Sequence, residues 1–401
     1  MVSVDVVIAG GGVAGLLIAS ALPADRSVIV IEQADSLPRH KYWLTDATSA
    51  SRYSRNVECV AAQYDFLDFV AYDGFTATVG GKFCLWDTDK LIDCLANKAF
   101  QRGVQILTGH RLYSIAQQHD GILVRANEQC IRARLLVDCM GFGSPLVGAK
   151  DVATITGYYV LYGEHVTLNA PARPIALDNV VIHRHPTFFE LFPTAEGTAH
   201  AALILPARQL AAHRSLEQEF AFICSKSHYA PLIRANAGSG RRTYQGIIPV
   251  GRLHTPCLDR IVFFGEAGQV NPAASATGLS RMLHTFQDLA NGIEDCLRRD
   301  TLRREDLLRA TPPYLTRMNR VFQESVFESL LTYTSDDFLR LVQDLAHYPS
   351  DVVSNLVFGD FAFGQVRTLR LALDAFLRPR SVLASHVLKA AARYYTRRGS
   401  M

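Results

Sequence analysis

An α/β fold with a strand-rich second layer and a helical C-terminal region is what this 401-residue sequence predicts, on three observations. The first thirty-five residues run from an apolar strand through a glycine-rich turn into an apolar helix and a second strand. Two stretches, 157–168 and 178–207, are rich in β-branched and aromatic residues, the composition of paired strands. Beyond residue 302 apolar residues recur three and four apart, the period of helices with one buried face.

In "VDVVIAGGGVAGLLIASALPADRSVIVIEQ", Val4 to Ala9 is a continuous apolar run, as expected of a parallel strand buried on both faces. Gly10, Gly12 and Gly15 form G-x-G-x-x-G. The first allows a tight turn, the second lets backbone approach a pyrophosphate, and the third packs helix on strand. The helix Val13 to Leu22 aims its N-terminal N–H groups at the phosphates. Val28 to Ile31 is the next strand, and Glu32 closes it, 22 residues after Gly10, where an acid binds ribose hydroxyls. The pattern predicts a Rossmann-like dinucleotide-binding unit. An acid at this point favours an unphosphorylated ribose, so FAD or NAD over NADP.

Three later blocks narrow the choice. "CLWDTDKLIDCLANKAFQRGVQIL" (84–107) reads as a strand or turn, a helix, Gly103 and a strand. "IRARLLVDCMGFGSPLV" (131–147) is an apolar strand ending in Asp138 and a glycine-rich turn. "RIVFFGEAGQVNPAASATGLS" (260–280) is a strand, the break Gly265-Glu266, a loop of small residues, and a helix opening at Gly278. In this order the blocks resemble the FAD-dependent fold shared by class A flavin monooxygenases, geranylgeranyl reductases, tryptophan halogenases and lycopene cyclases, with its glutathione-reductase-type FAD domain.

The resemblance implies that Glu266 holds ribityl or ribose hydroxyls, that the loop Pro272 to Thr277 lies along the isoalloxazine, and that N–H groups at the Gly278 helix start face the flavin N1–C2=O. Arg39 and Lys41 are candidates either for the pyrophosphate or for the surface. The cofactor-binding set is then Gly10, Gly12, Val13, Ala14, Gly15, Glu32, Gln33, Arg39, Lys41, Gly265, Glu266, Pro272, Thr277, Gly278 and Leu279. FAD is the expected cofactor and NAD(P)H the transient reductant. Two departures stand out. The family usually has Asp at position 266, and the hydroxylases place Asp where Met140 stands. "VDCMGFGSPLV" is nearer the Asp-x-x-Gly turn of lycopene cyclases, as is "PRHKYWLTDA" after the second strand.

The expected FAD domain is discontinuous, 1–50, 80–150 and 245–298, with a mixed β-sheet substrate domain from 51–79 and 151–244 and a helical region at 299–401. "TAEGTA" turns a hairpin at Gly197, and "SLEQEFAFICSKS" is a helix capped by Ser215. Leu315, Met318, Phe322, Val326 and Leu330 form one apolar stripe, and "SDDFLRLVQDLAHYP" is a helix with Ser335 at its N-cap. The tail from 366 carries eight Lys/Arg and one acid, so 8 − 1 gives +7, a basic amphipathic segment suited to peripheral membrane contact or to packing on the body.

Lycopene cyclases use a carboxylate on a strand of the substrate sheet to handle the proton. Here "AHAALILPA" has no acid, while Glu190 on the partner strand faces either the substrate or solvent at a sheet edge. Glu190, His183 and Asp46 are the catalytic candidates. His183, Arg184 and His185 lie either in the pocket or on the strand surface. Tyr42, Trp43, Phe188 and Phe192 are substrate candidates, and the aromatic strands carrying Tyr158, Tyr159 and Phe189 point to a large hydrophobic ligand such as a prenylated aromatic, a quinolone, a polyketide or an isoprenoid.

A net charge of +3 argues against a nucleic-acid partner, and eight scattered cysteines fit reduced thiols in a cytoplasmic monomer or homodimer. No Cys/His cluster has metal-ligand spacing, and no apolar run spans a bilayer. Oxygen insertion into a hydrophobic metabolite is the reaction expected, with a non-redox flavin cyclase or isomerase and a geranylgeranyl-reductase-like enzyme as alternatives. The Trp86 and Lys90 region lacks the WxWxIP motif of halogenases.

Overall fold

The computed structural model describes residues 1–358 except 40, 54–56, 150, 151, 183, 184, 195, 196, 211–214, 235–241, 315 and 316, together with 382, 385, 386 and 389. The basic tail therefore falls almost wholly outside the described residues.

In chain order the N-terminal part holds β1 (Val2–Ala9), α1 (Val13–Ala21), β2 (Val28–Ile31), β3 (Tyr42–Asp46), α2 (Ala47–Arg52), β4 (Val60–Val70), β5 (Thr76–Asp87), α3 (Thr88–Gln101), β6 (Gln105–Leu107), β7 (Leu112–Gln117), β8 (Ile122–Ala126), β9 (Gln129–Asp138) and α4 (Pro145–Ala149). The middle holds β10 (Ala153–Leu168), β11 (Ile175–Ile182), β12 (His185–Pro193), β13 (Thr198–Ala207), α5 (Leu216–Lys226), β14 (Ile233–Arg234), β15 (Thr243–Leu253), β16 (Cys257–Leu258) and β17 (Ile261–Phe263). Helices α6 (Gly278–Arg299), α7 (Arg304–Ala310), α8 (Arg317–Leu330), α9 (Ser335–His347) and α10 (Ser350–Phe358) follow.

Two sheets organise these elements. The first has the order β16-β17-β9-β1-β2-β6, and its strands from β17 to β6 are parallel. Both faces are covered, which is why these strands read as unbroken apolar runs. Val6, Ile8, Val28 and Val30 pack with α1, α3 and α6 on one side. Val7, Ala9, Ile29 and Ile31 pack with the β7–β8–β9 meander on the other.

The second sheet runs β14-β10-β13-β12-β11-β4-β5-β3, with β15 added on β10. Its pairings are antiparallel except for β11 against β4. The period of two sorts β12 cleanly: Phe188 and Phe192 face the α8–α10 helices, while Phe189 and Leu191 face α5. Strand pairing cuts across the domain boundaries expected from the sequence. β3, the end of β5 and most of β15 lie in the second sheet, although the sequence groups residues 42–46, 80–87 and 245–253 with the first. The expected helix at 335–347 is present, but its N-cap is Thr334, not Ser335. Thr334 and Asp337 form a reciprocal capping box. Ser215 caps α5 as expected.

Candidate functional site

The glycine turn after β1 has the shape the sequence demands. Gly10 sits at φ +108, and a Cβ there would meet the Cys139 carbonyl at 2.4 Å. A Cβ on Gly15 would lie 2.0 Å from the Gly10 carbonyl, so α1 packs on the turn only because that residue has no side chain. Gly12 differs. Its backbone is ordinary, and a Cβ would meet nothing within 4 Å. The space over Gly12, at the open N-terminus of α1, is a cradle of pyrophosphate character. Glu32 accepts the Gly11 N–H at 2.8 Å and the Ala34 N–H at 3.0 Å, which pins the turn and leaves a lone pair on each oxygen for a ribose hydroxyl.

The second glycine motif meets the first in space. Gly265, at φ +66, lies so close to α1 that a Cβ would stand 2.5 Å from the Ala14 methyl. Glu266 follows, accepting the Phe142 N–H. Burial pushes its carboxyl up from the ordinary range, while Lys41 and that N–H pull it back. Asp138 organises the turn carrying Phe142: its carboxylate accepts the Met140 N–H at 3.0 Å and the Ser144 hydroxyl at 2.5 Å, and burial raises it to about 6. The Asp-x-x-Gly turn is thus closed by its own acid, and Met140 contributes backbone to it.

The loop from Pro272 to Thr277 is held from three sides. Tyr159 donates to the Ala273 carbonyl at 2.9 Å, Gln323 accepts the Ala274 N–H at 2.8 Å, and Ser275 donates to the Val357 carbonyl on α10. Ala276 is forced to φ +55, a conformation a non-glycine residue adopts at a cost. At the start of α6, Gly278 leaves no room for a Cβ because the Asn271 carboxamide fills that space. Asn271 Nδ2 is buried without a partner among the described residues, a spare donor beside the start of α6. The cradle at Gly12, the paired acids Glu32 and Glu266, and this orphaned donor together fit a flavin dinucleotide.

One cavity of about 290 Å³ joins this loop to the second sheet. Lys41, Glu266 and residues 274–279 line one part of it. All four substrate candidates, Tyr42, Trp43, Phe188 and Phe192, line it too, with Leu44, Tyr159 and Leu161. Phe322, Val326 and Leu330, the apolar stripe expected on α8, close it together with Phe338 on α9 and Val353 on α10. Leu315 lies outside the described residues, and the Met318 side chain is not among those described.

Glu190 faces into the cavity and not out to solvent, because β12 is an inner strand and position 190 shares the face of Phe188 and Phe192. Burial alone raises its carboxyl to about 8. It is partly exposed, and what it is exposed to is the cavity.

Other candidates lie away from the cavity or outside the described residues. Asp46 is outside the cavity lining. It caps α2, accepting the Ser49 N–H at 2.8 Å and the Ser49 hydroxyl. Arg39 is drawn to Asp93 at 2.6 Å on the surface, and Gln33 is exposed. Phe189 lies on the opposite face of its strand, and Tyr158 packs edge-on against Phe142, 5.6 Å between centroids. His183 and Arg184 lie outside the described residues, and nothing is described of the His185 side chain.

Two cavity residues, His200 and Tyr244, escape a reading for acids. His200 is 2% exposed and stacks against Tyr42 at 5.0 Å and Tyr244 at 5.0 Å, with its Nε2 bonded to the Tyr244 hydroxyl. Burial lowers it to about 3, so it is neutral at pH 7. The signal was available: the pairing of β12 with β13 sets His200 opposite Phe192, on the Glu190 face.

Comparisons with known proteins agree with this architecture. The rifampicin monooxygenase of Streptomyces venezuelae is 23% identical over 307 residues, 69% of this chain and 61% of that protein, so the chain spans about three-fifths of that relative's length. A geranylgeranyl bacteriochlorophyll reductase-like protein from Thermoplasma acidophilum superposes with a TM-score of 0.74 at 13% identity, covering 97% of this chain and all of that one. A halogenase in complex with phloroglucinol and FAD gives 0.65 at 13% identity over 96% of this chain and 86% of its own. The p-nitrophenol 4-monooxygenase of Pseudomonas putida gives 0.63 at 16% identity over 96% of this chain and 99% of its own. At these identities the structural matches establish the fold, that of FAD-binding Rossmann-type flavoproteins. The family model described as lycopene cyclase protein matches residues 5–347, and this chain belongs to that family.

Proposed function

We propose that this protein is a FAD-dependent monooxygenase that uses NAD(P)H and O₂ to hydroxylate or epoxidise a hydrophobic aromatic or isoprenoid metabolite. The observation that carries the reading is the cavity: aromatic and aliphatic walls running from the 274–279 loop into the second sheet, with no charged side chain on the loop itself. The N–H groups around Gly12 and the α1 N-terminus hold the pyrophosphate, Glu32 the ribose, and Glu266 the ribityl hydroxyls. When bound and reduced, the flavin supplies activation of O₂ and transfer of one oxygen atom. The protein supplies position and dryness. Phe188, Phe192, Tyr159, Phe322 and Phe338 exclude water around the substrate. The α6 N-terminus presents N–H donors to negative charge on the cofactor, and Asn271 Nδ2 beside it is a buried donor with no partner among the described residues. The monooxygenases among the relatives are in keeping with this class.

The test is incubation with candidate substrates under ¹⁸O₂. One labelled oxygen in the product, with one NAD(P)H consumed per product, supports the class.

A second reading rests on Glu190. A carboxyl raised to about 8 is protonated at neutral pH, and in an apolar cavity it is a ready proton donor to an olefin. That is what a non-redox cyclase or isomerase needs. A product isomeric with the substrate, formed without O₂ and lost in Glu190→Gln, selects this reading over the first.

A further inference from the structure

Glu190 makes no hydrogen bond and no ion pair with any described residue, whereas its neighbours in the same wall are tied to one another, with only His200 Nδ1 left over. Tyr244 and His200 are bonded to each other, and Tyr42 and Phe192 both stack against His200, at 5.0 and 6.5 Å. Register keeps the carboxyl pointed inward: Glu190 pairs with Ala202, so the residue opposite is too small to reach or cover it. The position is costly. An unsatisfied carboxyl among phenylalanines stabilises nothing in the empty protein, and Leu or Phe would pack better. Such a group is satisfied by what enters the cavity.

The surroundings choose the ligand's chemistry. Burial is the sole cause of the upward shift at Glu190, with no cation acting on it. His200 is held neutral, and the Tyr244 phenol is pushed up by burial. Lys41 acts instead on Glu266, at the cofactor end of the lining. An anionic head would find the cavity's lysine, Lys41, acting on Glu266 and no cation acting at Glu190, and a cationic head would require Glu190 to ionise in an apolar wall. A neutral oxygen, as in a phenol, enol or ketone, accepts from the acid O–H and, where it carries a hydrogen, donates to the C=O.

We infer that Glu190 is a specificity residue that anchors a neutral oxygen of an otherwise apolar substrate, so that the substrate is a hydrophobic molecule bearing a phenol, enol or ketone and not a pure hydrocarbon. The inference rests on the reading of this cavity as the substrate site, and it holds for either reaction proposed above.

The experiment is binding to the oxidised, FAD-loaded protein, where no turnover intrudes, read as flavin absorbance changes with three probes: hexylbenzene, 4-hexylphenol and cationic 4-hexylbenzylamine. 4-Hexylphenol is expected to bind about tenfold more tightly than hexylbenzene, because a site built around a polar partner rejects the analogue lacking it. Glu190→Ala is expected to bring that ratio close to one, while Glu190→Gln, which keeps a donor, holds it within about threefold of wild type. An unchanged ratio in Glu190→Ala overturns the inference. So do equal affinities of the phenol and the hydrocarbon for the wild type, or tightest binding of the amine, and these need no variant to fold. Failure to bind any probe removes the cavity reading itself. A preserved ratio without ¹⁸O incorporation removes only the monooxygenase.

Discussion

The cofactor end of this molecule is built from backbone, and the cavity end from side chains. At the first, five glycines, two helix N-termini and two acids occupy short stretches of sequence. The three in the first turn serve different needs, Gly10 for its φ of +108, Gly15 for contact, and Gly12 for the empty space above it. At the second, Trp43, Glu190, His200, Tyr244 and Phe338 come from five elements separated by most of the chain, and no shared motif spaces them. A site made of backbone needs particular residues at fixed spacing. A site made of side chains needs only the right face of each strand and helix, and many residues satisfy that.

The sharpest way to break the contrast is Gly12→Val. The apoprotein has room for the side chain, so the fold and its melting temperature should change little, while FAD binding is abolished because the methyl groups fill the pyrophosphate cradle. Cofactor content after reconstitution, set beside circular dichroism, checks both halves. A yellow Gly12→Val protein would mean that the phosphates lie elsewhere.

The converse experiment acts on the cavity alone. Phe338, 1% exposed, packs 5.1 Å from Phe188 between α9 and the sheet. Phe338→Ala should cost about 3–5 kcal/mol of stability, the usual range for a buried phenylalanine. Denaturant unfolding of the FAD-loaded protein measures it. The affinity for FAD should stay within about twofold, since independent sites contribute additively. A large loss of FAD affinity would show that the two regions are coupled through the 272–277 loop, which Gln323 and Val357 tie to α8 and α10.

These expectations also mark what the sequence disclosed. The Gly10–Glu32 unit, Gly265-Glu266 and the Gly278 helix were legible because tight turns and close backbone approaches admit few residues. The aromatic faces were half legible. Phe188 and Phe192 line the cavity and Phe189 does not, a distinction that depends on which phase of a period-two strand is buried. His200 and Tyr244 were missed because histidine and tyrosine in strands carry no spacing signal, and only strand register places them, His200 across β12–β13 and Tyr244 where β15 pairs with β10. Asp46 misled for the opposite reason. An acid after an aromatic pair has the look of chemistry, yet this one opens a helix, and Asp before a run of small residues is also what an N-cap requires.

Glu266→Ala tests a side chain at the backbone site. A charge-assisted hydrogen bond to a hydroxyl is worth roughly 1.5–3 kcal/mol, about ten- to a hundredfold in FAD affinity. The protein should stay folded, because the hydrogen bond lost within the chain is the one to a turn N–H, that of Phe142. Equal FAD retention in the variant and wild type would leave the ribityl hydroxyls with another partner and make the cofactor site purely a backbone one.

The smallest expected effect concerns the acid in the aromatic wall of the cavity. Glu190 titrates at about 8 in the folded chain against a usual 4.5. Between those values the native state keeps a proton that the unfolded chain has released, so Glu190 makes stability fall as pH rises through that window. Tyr244, pushed up, and His200, lowered to about 3, keep one charge state across it. Glu266 and Asp138, also raised, shift stability in the same direction, but they do so equally in a Glu190→Gln protein and cancel in the difference. The two melting temperatures should therefore lie close together near pH 4.5 and separate by a few degrees toward pH 8, with the Gln variant higher. Thermal melts of both proteins at half-unit steps of pH read the divergence directly. Curves that stay parallel would mean that Glu190 finds a partner or water in solution, and the cavity would then lose the polar feature that distinguishes it from a hydrocarbon-lined pocket.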